Sequence, residues 1–451
     1  MKKVLSRILY FLFFAFAATL FTACVILIIN TTKSKTQAYT QIEAVVISGG
    51  EETSGSEYEK INEISFKGSS YYKAVKEKYG YKSLNTDEEQ YLYDKIEKNI
   101  YSVTSKTDEN GHYRTSRIKV NGVRMSENSI RKVVNAFIYD NPQVFWLENL
   151  FGYAYAENDT IVEFYSVLSA KDCQKYIDTF TEKVNEIIGS VKNNMTEYDR
   201  EKYIHDTVLG NCEYKSGVTG TKDGWQYFSA YGALVDGQTV CEGYAKSMQI
   251  LLSQLGIECY TISGEADNVG HMWNVVKLGG EWYHLDPTWD DTDNIINYEY
   301  FNINTENILK NHTINESITD IDLDSDSVKP EKRYNFFIPM CTSMAMNYYT
   351  VEGYLIEDFD EADDNKMIDI IVNAVNNNQT YIPLRFGTKM TYSEYIDGMF
   401  YKSPYKFYYY IQHANERLDS EHQIDKDSVS VLKNEAMSTL RIKLKILNNN
   451  E

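Results

Sequence analysis

The longest apolar stretch of this 451-residue chain lies close to its N-terminus. Residues 8–29 carry no charged side chain, and three basic residues precede them. A helix of about 20 apolar residues spans a bilayer, and the more basic flank stays in the cytoplasm. The pattern therefore predicts an uncleaved anchor within residues 1–30 and a single-pass membrane protein whose bulk is extracellular. A lipoprotein anchor at Cys24 is the alternative.

Polar and then helical patterns follow this stretch. Residues 31–65 are polar, with Gly, Ser and Glu at their centre, which indicates a flexible tether. Residues 66–195 mainly show helical spacing and predict an α-rich N-terminal domain. Two alternating segments around residues 157–159 predict a hairpin within it. Helices are predicted over 86–105 and 126–140 and from Ser169 and Thr196 onward.

The chain ends in a linker and a small module. Residues 312–333 are acidic, and five of their carboxylates match the spacing of a calcium-binding loop. Ser325 occupies the position where such loops need glycine, so we predict a solvated linker without a metal ion. Residues 334–451 predict a small α+β module that carries no catalytic motif. Its strands are predicted over 348–356, 380–386, 406–412 and 439–447, and its helices over 361–376 and 392–401.

Charge and cysteine content narrow the classes of function. The chain has 65 acidic and 45 basic residues, a net charge of −20, whereas nucleic-acid binding needs clustered basic residues. We therefore expect no nucleic-acid partner. The six cysteines form no Cys-x-x-Cys pair and no zinc-binding spacing, and a chain this long needs no disulfide scaffold. We expect no metal and no cofactor, and at least one cysteine remains available as a working thiol.

Cys241 is the thiol whose sequence context indicates chemistry. A loop that turns at Gly237 precedes it, and apolar residues at helical spacing follow it until Gly256. Cys241 is therefore predicted at a helix N-terminus, where backbone N–H groups favour a thiolate and can bind an oxyanion. We expect Gly243 to leave room for the backbone of a substrate. From this pattern alone, a buried structural cysteine is an equal alternative.

His271 and Asp286 lie on the two strands of a predicted hairpin. Gly279 and Gly280 form its two-residue turn, which fixes the register of the strands. Asp286 then lies opposite Trp273, on the sheet face that also carries His271, because side chains alternate between faces. A carboxylate at this diagonal position can reach the imidazole and hold its tautomer. A slip of one residue would put Asp286 on the other face.

Three sequence blocks carry a family resemblance. They are ValCysGluGlyTyrAla around Cys241, HisMetTrpAsnValVal from His271, and TrpTyrHisLeuAspProThrTrp around Asp286. In order and spacing they resemble the core of the transglutaminase-like superfamily, in particular its bacterial and peptidase-like members. The resemblance lies within a predicted catalytic core at residues 196–311. It implies an α+β chain with a papain-like fold, with Cys241 as nucleophile, His271 as base and Asp286 as the residue that orients the base.

The resemblance implies acyl transfer from a peptide or glutamine carboxamide through a thioester. Water as acceptor would make the chain a cysteine protease or amidase, and an amine would make it a protein-glutamine transamidase. The expected partner is a protein or peptide substrate, with cell-envelope peptides as one class. Two alternatives are a catalytically idle fold that serves as a binding or scaffolding module at the cell surface, and an interaction protein that works through residues 334–451.

The three sequence blocks leave several other residues of the core without an assigned role. The family uses a second oxyanion donor before the nucleophile, and Tyr231, Gln238 and Trp225 are equal candidates for it. His284 lies two residues before the proposed orienting carboxylate, and we expect it to serve packing or hydrogen bonding. His205 is predicted in the middle of a helix and is expected to be structural.

Overall fold

The computed structural model describes eight stretches of the chain. These are residues 43–47, 63–67, 76–218, 224–292, 295–320, 333–379, 381–403 and 405–447. The predicted membrane helix over residues 8–29, Cys24 and most of the acidic linker lie outside these stretches. Within them, no helix combines the length and the apolar character that a membrane span requires.

A five-stranded sheet accompanies the helices of the N-terminal region. Its strands are β1 (Glu43–Val46), β4 (Tyr113–Arg114), β5 (Ile118–Val120), β6 (Leu147–Ala156) and β7 (Asp159–Ser166). They follow the order β1-β6-β7-β4, with β5 also on β7, while β2 (Glu63–Ser65) pairs separately with β3 (Ser102–Thr104). The predicted hairpin is confirmed as β6–β7, and the sheet around it is larger than the sequence indicates.

Three of the four described helices of this region begin where their capping residues predict, and the short first helix has no side-chain cap. They are α1 (Tyr79–Lys82), α2 (Asp87–Asn99), α3 (Glu127–Asp140) and α4 (Ala170–Ser190). Ser126 and Ser169 cap α3 and α4 by accepting hydrogen bonds from backbone N–H groups three residues on. The prediction over 86–105 is wrong at its end, because α2 stops at Asn99. The next carbonyl, of Ile100, accepts a hydrogen bond from the indole of Trp146 instead.

Helices on a four-stranded sheet form the core of the molecule. The helices are α5 (Glu197–Asn211), α6 (Cys241–Gln254), α7 (Pro287–Asp290) and α8 (Thr305–Ile308). The sheet has the order β12-β11-β10-β15 and consists of β10 (Cys259–Ala266), β11 (Val269–Leu278), β12 (Glu281–Leu285) and β15 (His312–Ile314). Short pairs complete it, namely β8 (Glu213–Tyr214) with β9 (Gln238–Thr239) and β13 (Asp291–Thr292) with β14 (Ile295–Ile296).

The sequence pattern explains why α6 packs on this sheet. Its buried residues include Tyr244, Met248 and Leu251, which recur at helical spacing, and Gly256 ends the helix with a φ of 77°. The side chain of Asn274 on β11 donates a hydrogen bond of 2.9 Å to the carbonyl of Ala245. This buried contact ties the middle of the sheet to the first turns of the helix.

The predicted linker is wrong at its first residues, and the predicted C-terminal module begins too early. Residues 312–314 form β15, which is a strand of the core sheet. At the other end, the Asn335 side chain makes two hydrogen bonds of 2.8 and 2.9 Å to the backbone of Ser263 on β10. Phe337 stacks on Tyr79 with ring centroids 3.9 Å apart. The chain after residue 333 therefore packs on the core before the C-terminal module begins.

The C-terminal module has its own hydrophobic core and an α+β fold. Its strands have the order β16-β17-β19-β18 and are β16 (Tyr354–Ile356), β17 (Tyr381–Phe386), β18 (Ser430–Asn434) and β19 (Thr439–Lys443). Its helices are α9 (Tyr348–Val351), α10 (Glu361–Asn376), α11 (Tyr392–Ile396), which a π-helical turn extends to Tyr401, and α12 (Lys406–Arg417). The predicted helices over 361–376 and 392–401 are confirmed.

Two strand predictions in this module are wrong. Residues 406–412 belong to α12, because Phe407, Tyr410 and Ile411 are buried at helical spacing although aromatic residues favour strands. The prediction over 348–356 begins with α9 and becomes a strand only near its end.

Candidate active site

Cys241 is the first residue of α6, as the sequence predicts. Val240 precedes it in an extended conformation, and no side-chain hydrogen bond caps the start of the helix. The thiol packs with Ala245 and Met272 and has no exposed surface. The positive end of the helix favours negative charge at this position.

Gly243 serves close packing within the chain. A Cβ at this position would lie 2.6 Å from the carbonyl oxygen of Ser229 and would collide with the side chain of Thr239. The expectation that Gly243 leaves room for a substrate backbone is therefore wrong. Its missing side chain instead lets the loop before Cys241 lie against the first turn of α6.

The register of β11 and β12 follows the predicted two-residue turn. Pairing runs from Leu278 with Glu281 at the turn to Asn274 with Leu285 at the far end, and both turn glycines have positive φ. Asp286 follows immediately but lies outside the ladder, because it caps α7. The register prediction is confirmed, while the expected pairing opposite β11 ends one residue earlier.

His271 and Asp286 meet, as the register requires. Nε2 of His271 lies 2.7 Å from Oδ2 of Asp286, and both side chains are fully buried. The other carboxylate oxygen, Oδ1, accepts hydrogen bonds of 3.0 and 3.2 Å from the backbone N–H groups of Thr288 and Trp289. Asp286 therefore both holds the imidazole and caps a helix.

The charges in this group support one another. Burial alone would lower the pKa of His271, but Asp286 and Cys241 raise it to about 10. Burial likewise opposes ionisation of Asp286, yet His271 and His312 hold the pKa of this carboxyl well below its usual range. At neutral pH the imidazole of His271 is therefore protonated and the carboxyl of Asp286 is ionised.

The second nitrogen of the His271 ring is the one available to the thiol. Nδ1 has no hydrogen-bond partner among the described residues, and Cys241 lies close enough to the ring to raise its pKa. Because Asp286 occupies Nε2, Nδ1 can exchange a proton with Cys241. A thiol, an imidazole and a carboxylate in this order form an arrangement that can perform acyl transfer.

His312 is a site residue that the sequence analysis missed. Its Nε2 lies 3.0 Å from Oδ2 of Asp286, the oxygen that also contacts His271. The sequence places His312 in the acidic linker, because a three-residue strand is too short to show a period. Only its pairing with β10 brings it to the site.

Tyr214 is a second residue that the sequence analysis missed. It pairs with Thr239 in the short ladder of β8 and β9, two residues before Cys241. Burial raises the pKa of Tyr214, and Cys241 and Asp286 raise it further, so its hydroxyl lies within electrostatic range of both.

Two of the three candidates for a second oxyanion donor lie in an aromatic cluster. The rings of Tyr231 and Trp225 lie 5.3 and 5.5 Å from the ring of Phe145. Gln238 lies in β9, next to the loop that leads to the thiol. Gln238 is therefore the candidate on the strand that approaches Cys241.

Two other buried histidines have structural partners. His284 accepts a hydrogen bond of 3.1 Å from the indole of Trp273, and burial lowers its pKa to about 3. His205 lies between Asp206 at 3.1 Å and Asp290 at 3.4 Å. Burial would lower the pKa of His205, but these carboxylates raise it to about 9.

The site contains three side chains of metal-binding type. The donor atoms of His271, Asp286 and His312 lie within 4.8 Å of one another. However, the two contacts to the shared oxygen, at 2.7 and 3.0 Å, are hydrogen-bond distances. A metal ion would have to replace the protons that make them, so we interpret the cluster as a hydrogen-bond network.

Comparisons with known proteins agree with this geometry. The family model for the transglutaminase-like superfamily matches residues 183–287, which include Cys241, His271 and Asp286. These residues form a transglutaminase-like core. The match ends directly after Asp286, so the strand that carries His312 lies beyond it.

Two curated relatives of the transglutaminase-like core are peptidases by name. Human kyphoscoliosis peptidase is 28% identical over 106 residues, which cover 21% of this chain and 16% of that protein. The mouse protein is 26% identical over 119 residues, which cover 24% of this chain and 18% of that protein. The chain therefore spans less than a fifth of the length of these relatives.

Two solved structures also overlap the chain in part. A TGase structure has a TM-score of 0.23 and 14% identity and covers 40% of this chain and 52% of its own. A candidate cysteine protease from Cytophaga hutchinsonii has a TM-score of 0.21 and 14% identity and covers 41% of this chain and 68% of its own. These scores are too low to establish a shared overall fold.

We expect iodoacetamide to alkylate Cys241 faster than the other described cysteines at neutral pH. Burial raises the pKa of Cys173 and Cys341 to about 12, so both remain protonated thiols. Cys241 instead is the first residue of α6 and lies beside the ring of His271, a setting typical of reactive cysteines. Peptide mass spectrometry after limited labelling of the full chain measures the order. Faster labelling of Cys341 or Cys259 would show that the nucleophile is assigned wrongly.

Proposed function

We propose that this chain is a cysteine-dependent acyl transferase or hydrolase that acts on peptide or glutamine carboxamide bonds. The observation that carries the proposal is the position of His271. Its ring lies between a helix-terminal thiol at Cys241 and the ionised carboxylate of Asp286, 2.7 Å away. The transglutaminase-like core around these residues supports the same reaction class.

The first half-reaction would form a thioester. The thiolate of Cys241 attacks the carbonyl carbon, and the C=O electron pair moves onto the oxygen. Backbone N–H groups at the start of α6 stabilise this oxyanion. His271 then donates its Nδ1 proton to the leaving nitrogen, the C–N bond breaks, and an amine, or ammonia from glutamine, departs.

The second half-reaction would release the acyl group. Water or a primary amine attacks the thioester while Nδ1 of His271 accepts its proton, and the thiolate of Cys241 leaves. Water yields a carboxylic acid, and an amine yields a new amide. The two relatives named as peptidases favour the hydrolytic branch.

The proposal is tested by separating the products of the two branches. The full chain is incubated with a peptide panel, which includes glutamine-containing peptides, in the presence and absence of a labelled primary amine. Cleaved peptide indicates a protease, deamidated glutamine an amidase, and an amine conjugate a transamidase. If no peptide changes and a peptide vinyl sulfone does not modify Cys241, the proposed activity is wrong.

A second candidate function is a catalytically idle fold at the cell surface. The observation that favours it is the complete burial of the Cys241, His271 and Asp286 side chains. An active enzyme must expose the thiol at least transiently. Alkylation of Cys241 under native conditions would demonstrate such opening, whereas protection until the chain unfolds would favour the idle fold.

We further propose that residues 8–29 anchor the chain in a membrane with the core outside the cell. The uncharged run and its basic N-terminal flank support this topology. Cell-envelope peptides would then be one accessible class of substrate. Protease added to intact cells should digest the chain after residue 31. Protection in intact cells, followed by digestion after lysis, would contradict this topology.

A further inference from the structure

His312 reaches the candidate site from the fourth strand of the core sheet. Its strand β15 pairs antiparallel with β10, where His312 lies opposite Ala266. The imidazole side chain is fully buried, and its Nε2 lies 3.0 Å from Oδ2 of Asp286. The same oxygen lies 2.7 Å from Nε2 of His271. One carboxylate oxygen therefore contacts two imidazole rings.

The contacts of Asp286 account for its full capacity to accept hydrogen bonds. An ionised carboxylate only accepts, and it offers about four positions on its two oxygens. Oδ1 accepts hydrogen bonds from the backbone N–H groups of Thr288 and Trp289. Oδ2 accepts hydrogen bonds from His271 and His312. Since the acceptor cannot donate, Nε2 of His312 must carry a proton.

The ring of His312 is held in place on its other side as well. Nδ1 lies 2.7 Å from the side-chain oxygen of Asn311, whose amide nitrogen donates to the hydroxyl of Tyr300. The indole rings of Trp289 and Trp273 lie with their centroids 4.8 and 5.2 Å from the imidazole. A ring held at both nitrogens and enclosed by two indole rings is a rigid donor.

We propose that His312 is a positioning residue that fixes the carboxylate of Asp286 and thereby keeps His271 aimed at Cys241. This inference rests on the proposed acyl-transfer function. The functional unit then comprises four side chains. They are the thiol of Cys241, the imidazoles of His271 and His312, and the carboxylate of Asp286 that both imidazoles contact. Without His312, one position on Oδ2 loses its donor, and the vacated space allows the carboxylate to turn away from His271.

The test compares two substitutions of His312 in the full chain. His312→Leu removes the donor, whereas His312→Gln keeps an N–H group near the position of Nε2. We expect His312→Leu to slow alkylation of Cys241 at pH 7 and to lower kcat about tenfold with little change in KM, as for other partners that hold a functional histidine. His312→Gln should recover most of both rates.

A double-mutant cycle tests whether His312 acts through Asp286. Asp286→Asn already breaks the shared contact, so adding His312→Leu should cause less than about a twofold further loss. Losses that multiply would overturn the proposal, and so would an unchanged rate in His312→Leu or a failed rescue by His312→Gln. His284→Leu is the matched control, because it removes a buried imidazole whose hydrogen-bond partners are Trp273 and Thr305.

The two readouts separate this proposal from the proposed function. Alkylation of Cys241 needs no substrate, so the cycle decides the role of His312 even if no peptide is turned over. A chain that shows the expected alkylation pattern but neither changes a peptide nor reacts with the peptide vinyl sulfone would refute the proposed activity alone. Melting temperatures of all variants identify any loss that comes from unfolding. If His312 were purely structural, His312→Leu would lower the melting temperature, but the folded molecules would react at the original rate.

Discussion

Replacing Cys241 with alanine is expected to abolish turnover of any peptide substrate, with a loss of at least about 10³-fold. The thiolate is the group that forms the proposed covalent intermediate, and the side chains of Ala245 and Met272 that pack on it are not nucleophiles of this kind. The oxyanion donors would remain, so a small residual rate over solution is expected. The measurement is kcat/KM of the full chain, together with mass spectrometry of the acyl-enzyme, which should disappear.

Cys341→Ala and Cys259→Ala are the matched controls for this prediction. Both cysteines are fully or nearly fully buried, and burial raises the pKa of both thiols, so neither is a thiolate at neutral pH. Their replacement should leave turnover within about twofold of the original, although each removes buried contacts. If Cys241→Ala keeps its activity while one of these variants loses it, the active thiol lies elsewhere.

Asp286→Asn is expected to lower turnover by on the order of 10²-fold while the chain stays folded. Burial lowers the pKa of His271, and Asp286 is the largest influence that raises it. Without this negative charge the pKa of the His271 imidazole falls, and the ring becomes a weaker base for the thiol of Cys241. Serine enzymes lose about 10⁴ in the same substitution, and a thiol, being more nucleophilic, should lose less.

The two hydrogen-bonding duties of Asp286 make this prediction specific. Asparagine caps helices as well as aspartate does, so its oxygen can still accept from the N–H groups of Thr288 and Trp289. Its amide nitrogen then faces His271 and His312, both of which donate there in the original chain. Because the amide nitrogen is also a donor, it cannot accept from either ring, so both rings would have to change tautomer.

Melting temperature and turnover per folded molecule are measured together for Asp286→Asn. We expect the melting temperature to change little, because the cap of α7 survives. His271→Ala provides the comparison, since it should lose nearly all activity and should gain nothing from an intact Asp286. A fall in melting temperature with unchanged turnover would mean that Asp286 serves only as a cap, and it would remove this residue from the catalytic unit.

Local sequence patterns were sufficient to predict the elements that carry Cys241, His271 and Asp286. Helical spacing after Cys241 and the glycine at its end predict α6, and both are short-range signals. The two glycines between β11 and β12 allow a single turn length, and that length determines which residues pair. Once the register is set, β12 ends directly before Asp286, so a count of residues brings the carboxylate within reach of the imidazole although Asp286 itself lies outside the ladder.

Long-range packing alone decided the rest. His312 joins the site only because β15 pairs with β10, and the sequence shows merely a three-residue strand at the edge of an acidic segment. The conformation of residues 406–417 was also decided by packing. Their aromatic composition favours a strand, but burial of one face in the module makes them a helix. Burial of Cys241 is also a tertiary property, because it depends on Met272 of a neighbouring strand and on the loop that Gly243 admits. Patterns with a short period are local and can be read from the chain, whereas contacts between distant segments depend on how all the elements pack together.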